Sequence, residues 1–292
     1  MIVDAHHHIW RQADLPWLQG PTVPRIFGAY DSIKRDYLID AYMADCTAHG
    51  ITKSVYVQAN WPVDGFADEV AWVQDVNRQC GWPHAIVGYC DMLQADARPD
   101  LDKLQAYPAM RGIRQQLHWH DNPLYRFAPD PDLTRNTQLQ RNVGYLRDYG
   151  WVFELQIFAG QVDGACELVD RCPGVTFVLQ HAGMLEDVSA AGRTTWRTAM
   201  GELAKRDNVV TKLSGLGTFV RRNDPEHIRD LVPATVEIFG AERCMFGSNF
   251  PIEKIWTTYD DLVAAYQAAT ADFRPDAQRA IFSETAARIY KL

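Results

Sequence analysis

The sequence lacks several features that mark common functional classes. Its 6 cysteines include no Cys-x-x-Cys pair, which argues against a zinc ribbon and favours buried free thiols in a reducing compartment. It contains no run of about 18 apolar residues, so we expect no membrane-spanning helix. Neither of the common glycine-rich phosphate loops is present, which argues against a nucleotide-binding sheet.

Positive charge is also scarce. The chain has 29 Lys and Arg against 37 Asp and Glu, a net charge of -8, whereas a nucleic-acid-binding protein needs a basic face. A local cluster of arginines could still bind a small anion. The amino-terminal segment Met1–Asp4 is not a basic region followed by an apolar stretch, so we expect no signal peptide and a cytoplasmic location.

What the sequence does contain is a repeated alternation of short apolar segments with longer segments of helical periodicity. Several of the short segments are apolar on both faces, as expected for parallel strands covered by helices. The predicted strands are Ile2–His8, Lys53–Gln58, Ala85–Asp91, Gly112–Leu117, Val152–Phe158, Thr176–His181, Val209–Ser214 and Cys244–Ser248. The predicted helices are Arg35–His49, Phe66–Cys80, Asp100–Tyr107, Thr137–Tyr149, Gly164–Arg171, Thr194–Arg206, Pro225–Phe239 and Tyr259–Ala271.

Eight strand–helix units without a break in composition favour an α/β protein with one domain over residues 1–292, a (β/α)8 TIM barrel. An open doubly wound sheet is the alternative, because one miscounted strand would change the topology. Two long connections, residues 9–34 and 118–136, follow strands one and four on the side of a barrel that carries the chemistry. Their aromatic residues either contact substrate or pack the loops onto the rim.

Histidines end two of the predicted strands. In the segment DAHHHIW, strand alternation places His6 and His8 on one face with Asp4 below them. Such a pair at the mouth of a barrel suits a divalent metal, or two donors to one substrate oxygen. His181, in QHAG, ends strand six at the same rim; alone it could equally cap a helix or bind a backbone carbonyl, but with His6 and His8 on the same rim a functional role is favoured. Asn249, in MFGSNFP, ends strand eight and can hydrogen-bond but cannot act as a general base.

Five motifs occur along the chain in a fixed order: DAHHHIW, RGIRQ at Arg111–Gln115, QHAG at Gln180–Gly183, KLSG at Lys212–Gly215 and MFGSNFP at Met245–Pro251. Together they resemble the amidohydrolase superfamily, and within it the amidohydrolase-related branch that includes sugar-lactone and 2-pyrone-4,6-dicarboxylate lactonases. The resemblance extends over essentially the whole chain. It implies that His6, His8 and His181 polarise a lactone carbonyl, with a divalent metal, zinc first, or with none.

The chain departs from this branch at Asn249, where the resemblance implies an aspartate that activates the attacking water. Three explanations remain open. A metal at His6 and His8 could acidify the water, another carboxylate such as Glu154 or Asp91 could act as the base, or the site could bind a ligand without hydrolysing it.

Several other polar residues are candidates for substrate binding. Arg114 lies within strand four and suits a carboxylate-bearing substrate, whereas Arg126 and the pair Arg221–Arg222 could equally be solvated. Gln156 shares a strand face with Glu154. His118, Trp119 and His120 leave strand four and either contact substrate or cap the loop.

We therefore expect a hydrolase that opens a sugar-acid or dicarboxylate lactone, or a similar small cyclic ester. The substrate would be a small anionic or polyhydroxylated molecule, with no nucleic acid and no membrane as partner and with homo-oligomers allowed. Two other functions compete with this one: a metal-dependent non-oxidative decarboxylase, and a silent acid-binding barrel, which would explain Asn249 most simply.

Overall fold

The computed structural model describes all 292 residues and contains one sheet of eight parallel strands, hydrogen-bonded in chain order. The strands are β1 (Ile2–His7), β2 (Ile51–Val57), β3 (Ala85–Gly88), β4 (Met110–Arg114), β5 (Val152–Leu155), β6 (Phe177–Leu179), β7 (Val209–Leu213) and β8 (Cys244–Phe246). Every predicted strand is present, which confirms the (β/α)8 barrel. Each strand ends earlier than predicted, because its last residues leave the sheet at the carboxyl-terminal end.

The barrel closes through the segment that follows β8 rather than through a regular β1–β8 ladder. His7 forms an isolated parallel bridge with Phe250. The amide of Asn249 donates to the carbonyl of His6 at 2.7 Å, and the amide of His8 donates to the carbonyl of Phe250 at 2.8 Å. The closure therefore brings the DAHHHIW and MFGSNFP motifs into direct contact.

Helices surround the strands. They are α1 (Pro16–Gln19), α2 (Ile39–Cys46), α3 (Phe66–Cys80), α4 (Arg98–Gln105), α5 (Thr137–Gly144), α6 (Leu146–Tyr149), α7 (Val162–Arg171), α8 (Ala190–Ala204), α9 (Pro225–Phe239), α10 (Tyr259–Ala269), α11 (Pro275–Arg279) and α12 (Thr285–Tyr290). The helix predicted from Arg35 begins only at Ile39, because Tyr37 exchanges two 2.9 Å backbone hydrogen bonds with Trp10 and is thereby held extended. No helix is both long and apolar enough to cross a membrane.

Strand β1 does not alternate regularly, and this corrects one prediction. Its pairing with β2 is irregular between Asp4 and His7, so Asp4 does not lie below His6. Asp4 instead accepts hydrogen bonds from the hydroxyls of Tyr42 on α2 and Tyr259 on α10, at 2.8 and 3.0 Å. His7 stacks on the same Tyr42 ring, with centroids 3.8 Å apart. Asp4 and His7 thus face the helices, and His6 faces the barrel interior.

Candidate active site

A cavity of about 700 Å³ opens at the carboxyl-terminal end of the barrel. Its walls are residues that end the strands or directly follow them, which is where barrels of this type carry their chemistry. The predicted site residues that line it are His8, Arg114, Gln156, His181 and Asn249. The loop that follows β1 covers one side and contributes Trp17, Arg25 and Phe27.

Three histidine rings cluster at the floor of this cavity. The ring centroid of His6 lies 5.1 Å from that of His8 and 4.8 Å from that of His181. His6 is fully buried, and neither of its ring nitrogens has a hydrogen-bond partner. The predicted convergence of these residues is therefore present, with His6 lying behind the two that line the cavity.

Hydrogen bonds on the far side of two rings determine what each offers to a ligand. Nδ1 of His8 lies 2.7 Å from the carbonyl oxygen of Val57. Because a carbonyl can only accept, Nδ1 carries the hydrogen and Nε2 of the neutral ring is an acceptor. Nδ1 of His181 lies 2.9 Å from Oγ of Ser214. If that hydroxyl donates, Nε2 of His181 carries the hydrogen and can donate to a substrate oxygen.

The same histidines are uncharged at neutral pH. Burial lowers the pKa of His6 and of His8 well below the ordinary value, and the charges of Lys212 and Arg114, respectively, add to the effect. Burial, reinforced by Arg114, lowers the pKa of His181 to about 3. A neutral imidazole has one N–H, which can donate to a carbonyl oxygen, and one free nitrogen, which can accept a proton.

Several backbone conformations at the cavity are strained. His181 and Asn249 both have φ of 55°, and Asn60 has φ of 62°, in the left-handed region that costs residues with a side chain free energy. Gly215, in KLSG, allows His181 its place, because a Cβ there would lie 2.6 Å from the ring Nδ1. Such strain is concentrated at functional sites in folded proteins.

The only charged side chains that line the cavity are two arginines; no Asp or Glu lines it. Arg114 is 4% exposed, donates to the carbonyl of Gln58 and has no partner for Nε. Burial lowers its pKa to about 10, which leaves it charged at neutral pH. Arg25, which the sequence analysis missed, comes from the loop after β1; it lies over the Trp17 ring at 5.7 Å, and its Nε is also unpartnered.

The carboxylates proposed as replacement bases do not line the cavity. Glu154 is fully buried inside the barrel, where Nζ of Lys212 lies 2.8 Å from Oε1. Tyr290 also donates to Oε1, and Gln180 donates to Oε2 at 3.1 Å. Asp91 accepts from the amide of Leu93, at 2.9 Å. Both hypotheses for the base are therefore wrong on geometry, because hydrogen bonds elsewhere engage these groups and neither faces the cavity.

The three predicted residues after β4 lie outside this cavity. His118 is buried against Phe127 and lines an adjoining cavity. Trp119 lies under the guanidinium of Arg126, 4.7 Å from the ring centroid. Nε2 of His120 lies 3.6 Å from the carboxylate of Glu186. Their predicted contact with substrate stays a prediction.

The side chains at the histidine cluster do not provide what a divalent metal requires. His6, His8 and His181 each offer at least one ring nitrogen, but no three His, Cys, Asp or Glu side chains are arranged to hold a metal ion. No carboxylate lines the cavity, and the cationic groups of Arg114 and Lys212 act on the imidazoles. Zinc accepts imidazole ligands, but these three are not arranged to hold one ion and cationic groups act on them, so the residues as placed do not fit a resident metal.

The motif resemblance is supported by comparison with known proteins. The model of a protein family described as amidohydrolase matches residues 3–292. An uncharacterized protein of Sinorhizobium fredii is 33% identical over 296 residues, which cover 100% of this chain and 98% of that protein. An L-fucono-1,5-lactonase of Burkholderia multivorans is 29% identical, over 99% of this chain and 96% of that enzyme.

Solved structures also show similarity to an amidohydrolase. An amidohydrolase of Burkholderia multivorans has been solved with bound HEPES and with bound zinc. The two structures match this chain with TM-scores of 0.84 and 0.83 at 27% identity. Each match covers 100% of this chain and 99% of that protein.

Proposed function

Since the chain belongs to the amidohydrolase family, we propose that it hydrolyses a lactone that carries a negatively charged group such as a carboxylate. The observation that carries the proposal is the charge of the cavity. Two guanidinium groups, Arg25 and Arg114, and no carboxylate line it, in a chain whose net charge is -8. Guanidinium groups bind carboxylates through paired hydrogen bonds.

The uncharged polar groups of the cavity suit a hydroxylated substrate. Oε1 of Gln116 and Oε1 of Gln156 are buried without hydrogen-bond partners, and both residues line the cavity. An unpaired buried acceptor costs free energy, and a substrate hydroxyl that donates to it would remove that cost. The similarity to an L-fucono-1,5-lactonase supports a lactone as the substrate.

The histidines supply the chemistry in this proposal. Nε2 of His181 donates to the lactone carbonyl oxygen and stabilises the negative charge that forms there. Water attacks the carbonyl carbon, with Asn249 as its orienting group and Nε2 of His8 as the acceptor of its proton. The bond between the carbonyl carbon and the ring oxygen then breaks, and the ring oxygen takes the proton that His8 accepted from the water, which makes it a hydroxyl and returns His8 to its neutral form. No step passes through a metal, because the donor set does not fit one.

The proposal is tested by acid release from a panel of lactones. Neutral aldonolactones are paired with lactones of the same ring size that carry a carboxylate, and rates are measured with a pH indicator. We expect turnover, with kcat/KM about tenfold or more higher for the anionic member of each pair, because a charged hydrogen bond contributes about 1.5–3 kcal/mol. A preference for neutral lactones would overturn the substrate class. Saturable binding of neutral and anionic lactones without acid release would favour a catalytically inactive binding protein.

A further inference from the structure

A buried carboxyl group lies directly behind Asn249. After β8 the chain turns, and the amide of Glu253 donates to the carbonyl of Asn249 at 3.2 Å. Glu253 thus begins a short 3-10 helix, Glu253–Ile255, one turn after the asparagine. Its side chain is 1% exposed and does not line the cavity. No ion pair accompanies it, so its burial needs an explanation.

One oxygen of this carboxyl group is held in place. Oε2 of Glu253 accepts a hydrogen bond from Nε1 of Trp256 at 2.9 Å. Gly217, in the loop after β7, packs against that bond: a Cβ there would lie 2.6 Å from Nε1 of Trp256 and 2.8 Å from Oε2. Only a residue without a side chain allows the loop to approach this hydrogen bond so closely.

The other oxygen has no comparable hydrogen bond. Oε1 of Glu253 is buried without a hydrogen bond of good geometry. The side chain of Asn249 nevertheless approaches the carboxyl group closely enough to lower its pKa, as Trp256 also does. Since Asn249 lines the cavity, its amide lies between the buried carboxyl group and the ligand.

We propose that Glu253 is a positioning residue that decides which atom of the Asn249 amide faces the cavity. An ionised Glu253 accepts a hydrogen bond from Nδ2, which leaves Oδ1 of the amide facing the cavity as an acceptor for the attacking water. A protonated Glu253 carries its hydrogen on Oε1, because Oε2 already accepts from Trp256. It then donates to Oδ1, and Nδ2 faces the cavity, where it can only donate.

The exchange between the two arrangements falls in an accessible pH range. Burial raises the pKa of Glu253 to about 8, against the opposing effects of Trp256 and Asn249. Below that pH the amide presents its nitrogen to the cavity, and above it the amide presents its oxygen. Activity that needs the acceptor therefore rises as the pH passes through about 8.

Few titratable or charged groups near Glu253 could change its pKa or titrate in the same pH range. From α10 the hydroxyl of Tyr266 interacts with Glu253, but burial raises the pKa of that hydroxyl far above the range. Asp4 of β1 acts on Tyr266 and not on Glu253. From the loop after β7, Arg222 contributes its carbonyl oxygen next to Gly217 and pairs its guanidinium with Asp224. The neighbouring Lys254 pairs with Asp45.

The expected effect on kcat rests on the proposed hydrolysis, but the ionisation of Glu253 can be tested without turnover. The indole N–H of Trp256 donates to Glu253, so its proton and nitrogen NMR shifts report the charge of the carboxyl group. The chain has 9 tryptophans, and the Trp256→Phe variant assigns the signal. We expect the signal to titrate near pH 8 in the wild type and to stay constant in Glu253→Gln. The measurement extends from pH 6 to pH 10, about two units on either side of the expected midpoint. A wild-type signal that does not titrate in this range would overturn the proposal.

The kinetic test uses Glu253→Gln as a mimic of the protonated state. The glutamine Oε1 accepts from Trp256, so its Nε2 donates to Oδ1 of Asn249 at every pH. We expect kcat to lose its alkaline rise and to fall at least about tenfold below the wild type at high pH, as for one lost hydrogen bond in the transition state. The double variant Asn249→Asp/Glu253→Gln restores an acceptor and should recover activity without the step near pH 8.

Tyr266→Phe is the matched control, because it removes the other buried polar group near the carboxyl without touching the amide. It should keep the alkaline rise. An unchanged alkaline rise in Glu253→Gln would overturn the proposal. If no lactone is hydrolysed by any variant, the proposed function fails, and the indole titration still decides whether Glu253 is coupled as we propose.

Discussion

Polar groups of the structural core, inside the barrel or between strands and helices, and polar groups at the cavity are both removed from water, yet they differ in their hydrogen bonding. Asp4 accepts two hydrogen bonds from Ser248, at 2.8 Å from its amide and 2.6 Å from its hydroxyl, besides those from two tyrosines. Glu154 accepts from Lys212, Gln180 and Tyr290. Unpaired buried atoms occur singly elsewhere, as on His7 and Tyr266, but at and directly behind the cavity they occur together, on His6, Arg114, Gln116 and Gln156.

The difference separates groups that stabilise the fold from groups that await a ligand. Nearly all buried polar atoms in folded proteins are paired, and an unpaired one lowers stability. The saturated groups offset the cost of their own burial, whereas the unpaired ones can do so only when a ligand is bound. Substitutions in the first set should therefore affect unfolding, and substitutions in the second should affect turnover or binding.

The largest effect is expected for Glu154→Gln. The substitution leaves Lys212 charged and fully buried without its partner, and breaking a buried pair in this way costs about 3–5 kcal/mol. Urea unfolding measures the loss. The matched control is Glu202→Gln, whose pair with Lys205 is about half exposed on both sides and contributes about 1 kcal/mol or less. Equal stability of the two variants would contradict the distinction between the regions.

The second effect is a loss of activity without a loss of stability. His181→Phe keeps a ring at this position but removes the donor to the lactone carbonyl, and one such donor contributes about 100-fold or more to kcat. The unfolding midpoint should stay close to that of the wild type, because the ring makes only one hydrogen bond, to Ser214. A variant that unfolds early while retaining kcat would place His181 with the structural groups instead.

Sequence patterns identify the strands well because burial on both faces leaves long apolar runs, as in Val55–Val57. They also identify His8, His181 and Asn249 as neighbours, since every strand end reaches the same rim. The face of Asp4 is predicted wrongly, because the irregularity in β1 breaks the alternation on which the prediction depends.

Two further residues escape the sequence analysis for a different reason. Arg25 lies in an irregular loop with no periodicity, and only the packing of that loop on Trp17 brings it to the cavity. Glu253 follows Asn249 by four positions, which suggests proximity on a helical turn. Its burial, however, depends on Gly217, which belongs to another loop. Loop packing of this kind leaves no local pattern in the sequence.

A smaller effect is expected for Arg25→Gln, which removes one charge from the cavity wall. KM for a carboxylate-bearing lactone should rise about tenfold, the size of one charged hydrogen bond near the surface, while KM for the matched neutral lactone stays the same. The kcat of both should change little, since the arginine is expected to contact the substrate away from the reacting carbonyl. Arg126→Gln, on the neighbouring loop and outside this cavity, is the control. Equal changes for both lactones would show a structural effect and not charge recognition.

The smallest effect is expected from metal removal, and it tests why the cavity atoms are unpaired. The imidazole nitrogens could be unpaired because a cation belongs there, or because substrate and water do. Arg114 and Lys212 act on the imidazoles with positive charge, which disfavours the binding of a dication there by Coulomb repulsion in a poorly screened site. We therefore expect kcat to change by less than about twofold after dialysis against a chelator and after addition of zinc. Activity that is lost on chelation and restored by zinc would assign the unpaired nitrogens to metal binding. The paired polar groups of the core would then differ from those at the cavity because the cavity groups are metal ligands, and not because they bind substrate.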